Sequence, residues 1–385
     1  MLKKLAFAAF AAMLFTGCAS FECSMRQGEL APGVPEYTFN NGLLEIKVVS
    51  GVSGIVNSME YLPGKLKLFE PMKYHEKVHD LLPSQIHVTV TGGRELVWGV
   101  KSFINTPMDV QHAYATKEKS SIRMKTRFFQ GENIEACKTV EMSAGTLAVD
   151  VTFALTNRGR KPQQMSLWKH LTAQLTPSQR DTIIIPARGG VDRVAGKAVM
   201  PVERDLLYHD FDPEHKAAFV APLAPWMARC ASDGVNRGTL VMYCSEMVEK
   251  NARFYSWKHS VQKLHTAEMI LPPRELAPGQ SKEYKIRYYY FPHLRALRAL
   301  DDATGFDIEP GALVVENAIP RGEQQFGIYC GGEPVGNYRI PALAPGRAYR
   351  IELDEKYTGR NISLDIITKD GKKINLPIIK ESVKK

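Results

Sequence analysis

Residues 75–79 read His-Glu-Lys-Val-His, a literal match to a metal-binding pattern. In HExxH, two histidines one helical turn apart bind zinc and the glutamate activates a water molecule. The surroundings disfavour this chemistry, because Pro71 and Pro83 limit a helix to about three turns and Lys77 puts a cation beside the metal. Glu95 is only an arbitrary third ligand. We therefore expect no metal and no cofactor, and we keep a zinc metallopeptidase as the less favoured alternative.

A second set of reactive side chains follows a strand pattern. In residues 166–172, alternation places Trp168 and His170 on one face, while Leu167 and Leu171 take the other. An aromatic surface and a titratable group should therefore project together.

A similar pattern occurs nearly ninety residues later. Trp257 has the same parity as Tyr255 and His259, so these three side chains should share one face of their own strand. They could form a second aromatic wall beside the first.

Period-two alternation dominates the chain and predicts an all-β protein. In residues 146–157, Val149, Val151, Phe153 and Leu155 alternate with smaller or polar residues. Similar stretches occupy residues 43–49, 86–91, 121–130, 166–172, 239–244 and 282–291. So many strands exceed one ordinary sandwich, and we predict a large two-sheet supersandwich over residues 37–292.

A boundary follows this region. Leu294, Leu297 and Leu300 lie three residues apart, which predicts a short helix in a linker over residues 293–309. Residues 310–385 contain shorter strand patterns separated by Gly331-Gly332, Pro345-Gly346 and Asp370-Gly371. This spacing predicts a small immunoglobulin-like β-sandwich.

Several segments of the large domain resemble the galactose mutarotase-like superfamily. They are residues 37–48, residues 149–157 followed by Ser166-Leu-Trp-Lys-His170, and Ala267-Glu268 leading into residues 275–284, in the family's order. The resemblance implies a β-supersandwich that binds saccharides in a concave sheet. Because one fold supports many functions, it does not fix the reaction.

The resemblance also implies roles for particular residues. In mutarotases a histidine protonates the ring oxygen and a glutamate removes the anomeric hydroxyl proton, and His170 and Glu268 occupy the matching places. Trp168, with Trp257, Tyr255 and His259, would then stack on or hydrogen-bond to a sugar. His170 lacks the proline and aromatic residue that follow it in epimerases. Saccharide binding without turnover, or a non-catalytic structural or scaffold role, therefore remains an alternative.

The N-terminus resembles a bacterial lipoprotein signal. Lys3 and Lys4 precede an apolar run over residues 5–15, and Thr16-Gly17-Cys18 matches the end of a lipobox. We expect residues 1–17 to be removed, Cys18 to be lipidated and residues 18–36 to form a tether. Since Ala19 follows the cysteine, the expected location is the bacterial cell envelope, at the outer membrane.

Composition narrows the partners further. The formal net charge is +9, but basic residues alternate with acidic ones, so nucleic acid is an unexpected partner and acidic glycans or anionic surfaces suit the charge better. Five cysteines besides Cys18 cannot all pair with one another. A hairpin could bring Cys230 and Cys244 together, while the alternative is that all five are free.

Overall fold

The chain forms two β-sandwiches in a computed structural model. The structure describes residues 21–69, 92–98, 106–126, 133–174, 181–195, 206–210, 216–231, 238–259, 264–358, 362–377 and 379–381. These residues include no α-helix, only two short 3-10 turns at Ser245–Val248 and Glu355–Tyr357. In the part of the chain that the structure describes, no helix has the length and apolar character needed to cross a bilayer. The signal segment, Cys18 and the His75 to His79 motif lie outside the described residues.

The first sheet of the large sandwich carries the predicted site residues. Its strands, in spatial order, are β1 (Ser24–Ala31), β2 (Val34–Asn40), β3 (Leu44–Val49), β4 (Ile55–Tyr61), β6 (Gly92–Trp98), β11 (Gln163–Gln174), β18 (Leu264–Ile270), β17 (Arg253–His259), β14 (Lys216–Pro222) and the second half of β12 (Asp181–Ala195). Two short strands, β5 (Leu66–Phe69) and β19 (Arg274–Leu276), pair with β4 and β11.

The second sheet packs across the core from the first. Its strands, in spatial order, are β7 (Met108–Ala115), β8 (Lys119–Thr126), β9 (Ile134–Ser143), β10 (Ala148–Asn157), β20 (Ser281–Phe291), β16 (Thr239–Tyr243), β15 (Trp226–Ala231), the first half of β12, β13 (Leu206–Asp210) and β29 (Ile379–Glu381). The alternation read in residues 146–157 is confirmed, because Val149, Val151, Phe153 and Leu155 are all buried in the shared core. The all-β supersandwich is therefore confirmed.

Two four-stranded sheets form the second, smaller sandwich. One contains β21 (Ala299–Asp301), β22 (Thr304–Glu309), β23 (Ala312–Asn317) and β26 (Ala348–Glu352), and the other contains β25 (Glu333–Ile340), β24 (Gln324–Cys330), β27 (Leu364–Thr368) and β28 (Lys373–Leu376). They enclose a separate apolar core. The chain then returns, since β29 pairs in parallel with β13 of the large sandwich.

The segment that joins the sandwiches is not the predicted helix. Leu294 and Leu297 are fully buried in an irregular turn, and strands β21 and β22 begin within the residues assigned to a linker. A Cβ atom on Gly305 would lie 2.7 Å from Leu294 Cδ1 and 3.0 Å from Leu297 Cδ1. Leu294 and Leu297 therefore belong to the core of the large sandwich and pack closely against Gly305 of β22 without forming a helix.

The predicted tether is also shorter than expected. Residues 24–31 form β1, which pairs along β2, and the Cys23 amide donates to the Lys117 carbonyl. The β1 strand is mostly exposed, so it lacks the alternating apolar pattern that reveals a strand in sequence.

The predicted hairpin between Cys230 and Cys244 exists, but it separates the two thiols. Cys230 lies opposite Thr239 at one end of the β15–β16 pair, whereas Cys244 follows Tyr243, which lies opposite Trp226 at the other end. Both cysteines are buried, and the structure does not join them in a disulfide. The pairing of these two residues is therefore wrong.

Candidate functional site

Strand register brings the predicted catalytic residues together. His170 in β11 lies directly opposite Glu268 in β18, and Glu268 lies directly opposite Tyr255 in β17. Directly opposite residues in an antiparallel pair point to the same face of the sheet. Trp168 occupies the same face two residues before His170. We call this face of the first sheet, which points away from the core, the site face.

The core side of β11 explains why these residues point outward. Leu167 and Leu171 are fully buried in the main apolar core, as the alternation predicts. Lys169 lies between these leucines and points to the same face. It is also buried, and its ammonium lies 5.2 Å from the ring centroid of Tyr288. Register is fixed because a slip of one residue would move both leucines out of the core.

A single carboxylate organises the centre of the site. Glu268 Oε2 accepts a hydrogen bond from Trp168 Nε1 at 2.6 Å, and His170 Nδ1 lies 3.1 Å from the same oxygen. The other oxygen, Oε1, accepts from the Thr266 hydroxyl. His170 and Glu268 are only 1% and 2% exposed. The carboxylate therefore fixes the indole and the imidazole at once.

This contact changes the chemistry that the pair can perform. Because His170 and Glu268 touch directly, no sugar atom lies between them, as it would if they acted as separate acid and base on one ring. A carboxylate beside Nδ1 instead orients the imidazole and favours the tautomer with its proton on Nδ1. Nε2 is then the nitrogen that can accept a proton, and this atom is itself buried. The geometry is that of an oriented histidine.

Aromatic rings surround the carboxylate. The Trp168 indole stacks on the His170 ring, with centroids 5.1 Å apart, and it makes an edge-to-face contact with Tyr255, with centroids 6.0 Å apart. Tyr255 in turn lies 4.5 Å from Phe219 of β14. Trp168, Tyr255 and Phe219 are each half-buried, so part of this aromatic cluster is open to solvent. A partly exposed aromatic surface beside hydrogen-bonding groups is typical of small-molecule sites.

The Tyr255 hydroxyl is a neutral donor at physiological pH. Burial, and next the negative charge of Glu268, raise the pKa of Tyr255 to about 12. A phenol in this state can donate a hydrogen bond to a ligand oxygen but cannot act as a base near neutral pH.

The two remaining predicted residues lie farther along β17. Trp257 is half-buried and lies opposite Thr266, one step from Tyr255 on the same face. His259 lies opposite Leu264 at the end of the strand. Trp257 therefore extends the site face. His259 lies four residues beyond Tyr255, the residue opposite Glu268, and is farther from the centre of the site.

Sequence reasoning missed two members of the site. Thr266 supplies the bond to Glu268 Oε1, and its same-parity spacing from Glu268 was the available signal. Phe219 is opposite Tyr255, but nothing in the sequence says that β14 is the neighbour of β17. Among the described residues, no group of three or more His, Cys, Asp or Glu side chains could hold a metal ion.

Comparison with known proteins identifies the fold. No protein-family model and no curated protein sequence matches the chain. Among solved structures, a galactose mutarotase-like protein from Clostridium acetobutylicum aligns with a TM-score of 0.51 at 10% identity, over 70% of this chain and 99% of that one. A putative aldose 1-epimerase from Escherichia coli K12 aligns with a TM-score of 0.50 at 13% identity, over 67% and 99% of the two chains.

A third similar structure belongs to a larger protein. A TPR-domain containing protein from Parabacteroides distasonis aligns with a TM-score of 0.52 at 12% identity, over 70% of this chain and 49% of that one. At such identities the likeness concerns the fold. The chain has the galactose mutarotase-like β-fold, as its short sequence segments indicated.

Proposed function

We propose that this protein binds carbohydrate on the site face, with Trp168 as the stacking surface. The observation that carries the proposal is the shared carboxylate: Glu268 holds the Trp168 indole in place through Nε1, while part of the ring system stays open to solvent. A fixed indole offers an apolar surface at little entropic cost, and a pyranose offers apolar C–H faces to stack on it. Tyr255 adds a hydroxyl donor beside that surface.

Titration of saccharides against Trp168→Ala tests the proposal. Loss of one good aromatic contact, worth about 1 kcal/mol, should weaken binding by roughly fivefold. The matched control is Tyr114→Ala, because Tyr114 is a 41% exposed aromatic on β7 of the second sheet. Equal affinities for the wild type and Trp168→Ala, with both proteins folded, would contradict stacking on this indole.

A second candidate, acid–base turnover of a sugar, is favoured by the contact between His170 Nδ1 and Glu268 Oε2 at 3.1 Å. In this version His170 transfers the proton and Glu268 orients it. His170→Ala should then lower the rate of mutarotation, followed by polarimetry, by ~10²- to 10⁴-fold while leaving affinity largely unchanged. A binding protein without turnover would show the Trp168 effect and no catalysed mutarotation in any variant.

The proposed setting is the bacterial envelope, with the protein held at a membrane by a lipid on Cys18. The sequence of residues 16–18 supports this proposal. In the structure, β1 begins at Ser24, so only a few residues separate the proposed anchor from the folded domain. A short connection of this kind would keep the large sandwich close to the membrane surface.

A further inference from the structure

Phe21 packs against two glycines that belong to different sheets of the large sandwich. Gly42 lies in the turn between β2 and β3, and Gly145 lies in the turn between β9 and β10. A Cβ atom on Gly42 would overlap the Phe21 ring, and one on Gly145 would lie 2.6 Å from Phe21 Cδ2. Because the Phe21 side chain is 41% exposed, part of it rests on this glycine seat and the rest is open to solvent.

The two turns that form the seat are bonded to each other. The Asn41 side chain is fully buried, and its Nδ2 donates to the Ser143 and Thr146 carbonyls at 2.8 and 2.9 Å. The Gly145 amide donates to the Asn41 carbonyl at 2.8 Å. These hydrogen bonds cross from the first sheet to the second, so the seat for Phe21 is part of the fold itself.

The two residues after Phe21 are held at the same end of the sandwich. Glu22 pairs with the Lys117 ammonium at 3.0 Å, and the Cys23 amide donates to the Lys117 carbonyl at 3.0 Å. An exposed ion pair adds little stability, but the backbone bond and the burial of Cys23 fix the path of the chain. We call this end of the large sandwich, formed by residues 21–23 and the turns at 40–43, 116–118 and 144–146, the docked end.

We propose that the docked end is the surface of this protein that faces the lipid bilayer, and that the seated Phe21 keeps it there. This inference rests on the lipid anchor at Cys18 proposed above. Three residues separate Cys18 from Phe21, and an extended chain spans at most ~3.6 Å per residue. The lipid attachment therefore lies within about 11 Å of the seat. An anchor this short brings the turns around Phe21 to the headgroups and leaves the rest of the sandwich in water.

The site face of a protein held in this way opens to the side. In β4, Tyr61 lies at the docked end, because it pairs with the start of β3 directly after the Gly42 turn. Val56, five residues earlier, is level with Leu171 of β11 through their common neighbour β6. At ~3.3 Å per residue, Leu171 and the adjacent His170 lie about 17 Å from the docked end. The bilayer therefore leaves the site face accessible to a saccharide in solution.

Fluorophores at the two ends of the large sandwich test the proposal. Glu118→Cys puts a label in an exposed turn of the docked end, and Lys161→Cys puts one in the exposed turn at the other end of β10, a strand of 10 residues that spans ~30 Å. Both are made in the lipidated full chain with Cys137 and Cys330 replaced by serine, in vesicles of phosphatidylethanolamine and phosphatidylglycerol. Lipid with a nitroxide on its headgroup should quench most of the fluorescence at position 118 and leave position 161 unchanged.

Phe21→Ala tests the role of the seat. The first fixed residue of this variant is Cys23, so the reach of the anchor grows from about 11 to about 18 Å, and most of the quenching at position 118 should be lost. Leu223→Ala is the matched control, because Leu223 is a 39% exposed apolar residue in the turn between β14 and β15, outside the docked end. This control should quench as wild type does.

The outcomes separate the inference from the anchor on which it rests. Equal quenching at the two label positions would overturn the inference but leave the anchor standing, and this comparison keeps the native Phe21, so it does not depend on the folding of the variant. Unchanged quenching in folded Phe21→Ala would also overturn the inference. A mature protein that carries no acyl group and stays free of vesicles would remove both the anchor and the inference.

Discussion

Two carboxyl groups are buried at the junction of the sandwiches. Because of them, we expect the free energy of unfolding to fall as the pH rises towards and through neutrality. Asp307 of β22 and Glu316 of β23 lie on one face of their sheet and are 2% and 0% exposed. Asp307 Oδ2 accepts from the Arg295 and Ala296 amides at 3.0 and 2.9 Å. Glu316 Oε2 accepts from the His293 amide at 3.0 Å. Both groups therefore hold the segment that joins the two sandwiches.

Burial is the main influence on the pKa of each of these two groups. It raises the pKa of Asp307 from 3.8 to about 7 and the pKa of Glu316 from 4.5 to about 8, although backbone amide donors act in the opposite direction. The folded state thus retains protons that the unfolded chain releases near pH 4. Between about pH 4 and pH 7 to 8 the unfolded state binds fewer protons, so the free energy of unfolding falls as the pH rises.

The magnitude follows from the pKa change. Each tenfold change in a protonation equilibrium is worth about 1.4 kcal/mol, so raising the pKa of Asp307 from 3.8 to about 7 corresponds to roughly 4 kcal/mol lost across this window. That loss is a large part of the ~5 to 15 kcal/mol stability of a typical domain. The effect should therefore be measurable by urea unfolding at a series of pH values.

Asp307→Asn isolates the contribution of this group. Its amide oxygen can still accept from the Arg295 and Ala296 amides, but the side chain cannot lose a proton. We expect the variant to gain stability relative to wild type as the pH rises from 5 to 8, with the Glu316→Gln variant behaving in the same way. Asp354→Asn, in an exposed turn of the same sandwich, serves as the control. Parallel pH profiles for wild type and Asp307→Asn would refute the assignment of this burial cost.

Three further predictions concern the junction and the N-terminal half. Gly305→Val should destabilise the protein by about 1 to 3 kcal/mol in urea unfolding, because its Cβ would meet the buried Leu294 side chain at 2.7 Å; an unchanged midpoint would show that the junction can relax. Cys18→Ser should abolish metabolic labelling with palmitate, whereas wild type without an acyl group would disprove the anchor. His79→Ala, alone or with His75→Ala, should leave stability and saccharide binding unchanged, and stoichiometric zinc lost on substitution together with peptide hydrolysis would instead support the metallopeptidase.

The failures of sequence interpretation have identifiable causes. The spacing of Leu294 and Leu297 is that of a helix, but both side chains are buried in the core of the large sandwich, where they pack against Gly305, and Asp307 accepts from the Arg295 and Ala296 amides. Strand β1 carried no apolar alternation because it is an exposed strand stabilised by its pairing with β2. In each case the structure depends on contacts with residues elsewhere in the chain, which a local sequence pattern does not reveal.

The candidate site likewise has features that the sequence predicts and features that only the tertiary structure determines. Alternation along one strand is local, so the sequence by itself determined that Trp168 and His170 share a face, since Leu167 and Leu171 must enter the core. Which strands become neighbours is decided by the packing of the whole sandwich. Only the tertiary structure therefore placed Glu268, one hundred residues after Trp168, against both rings. A side chain's face follows from the period of its own strand, but its partners follow from contacts between strands that lie far apart in sequence.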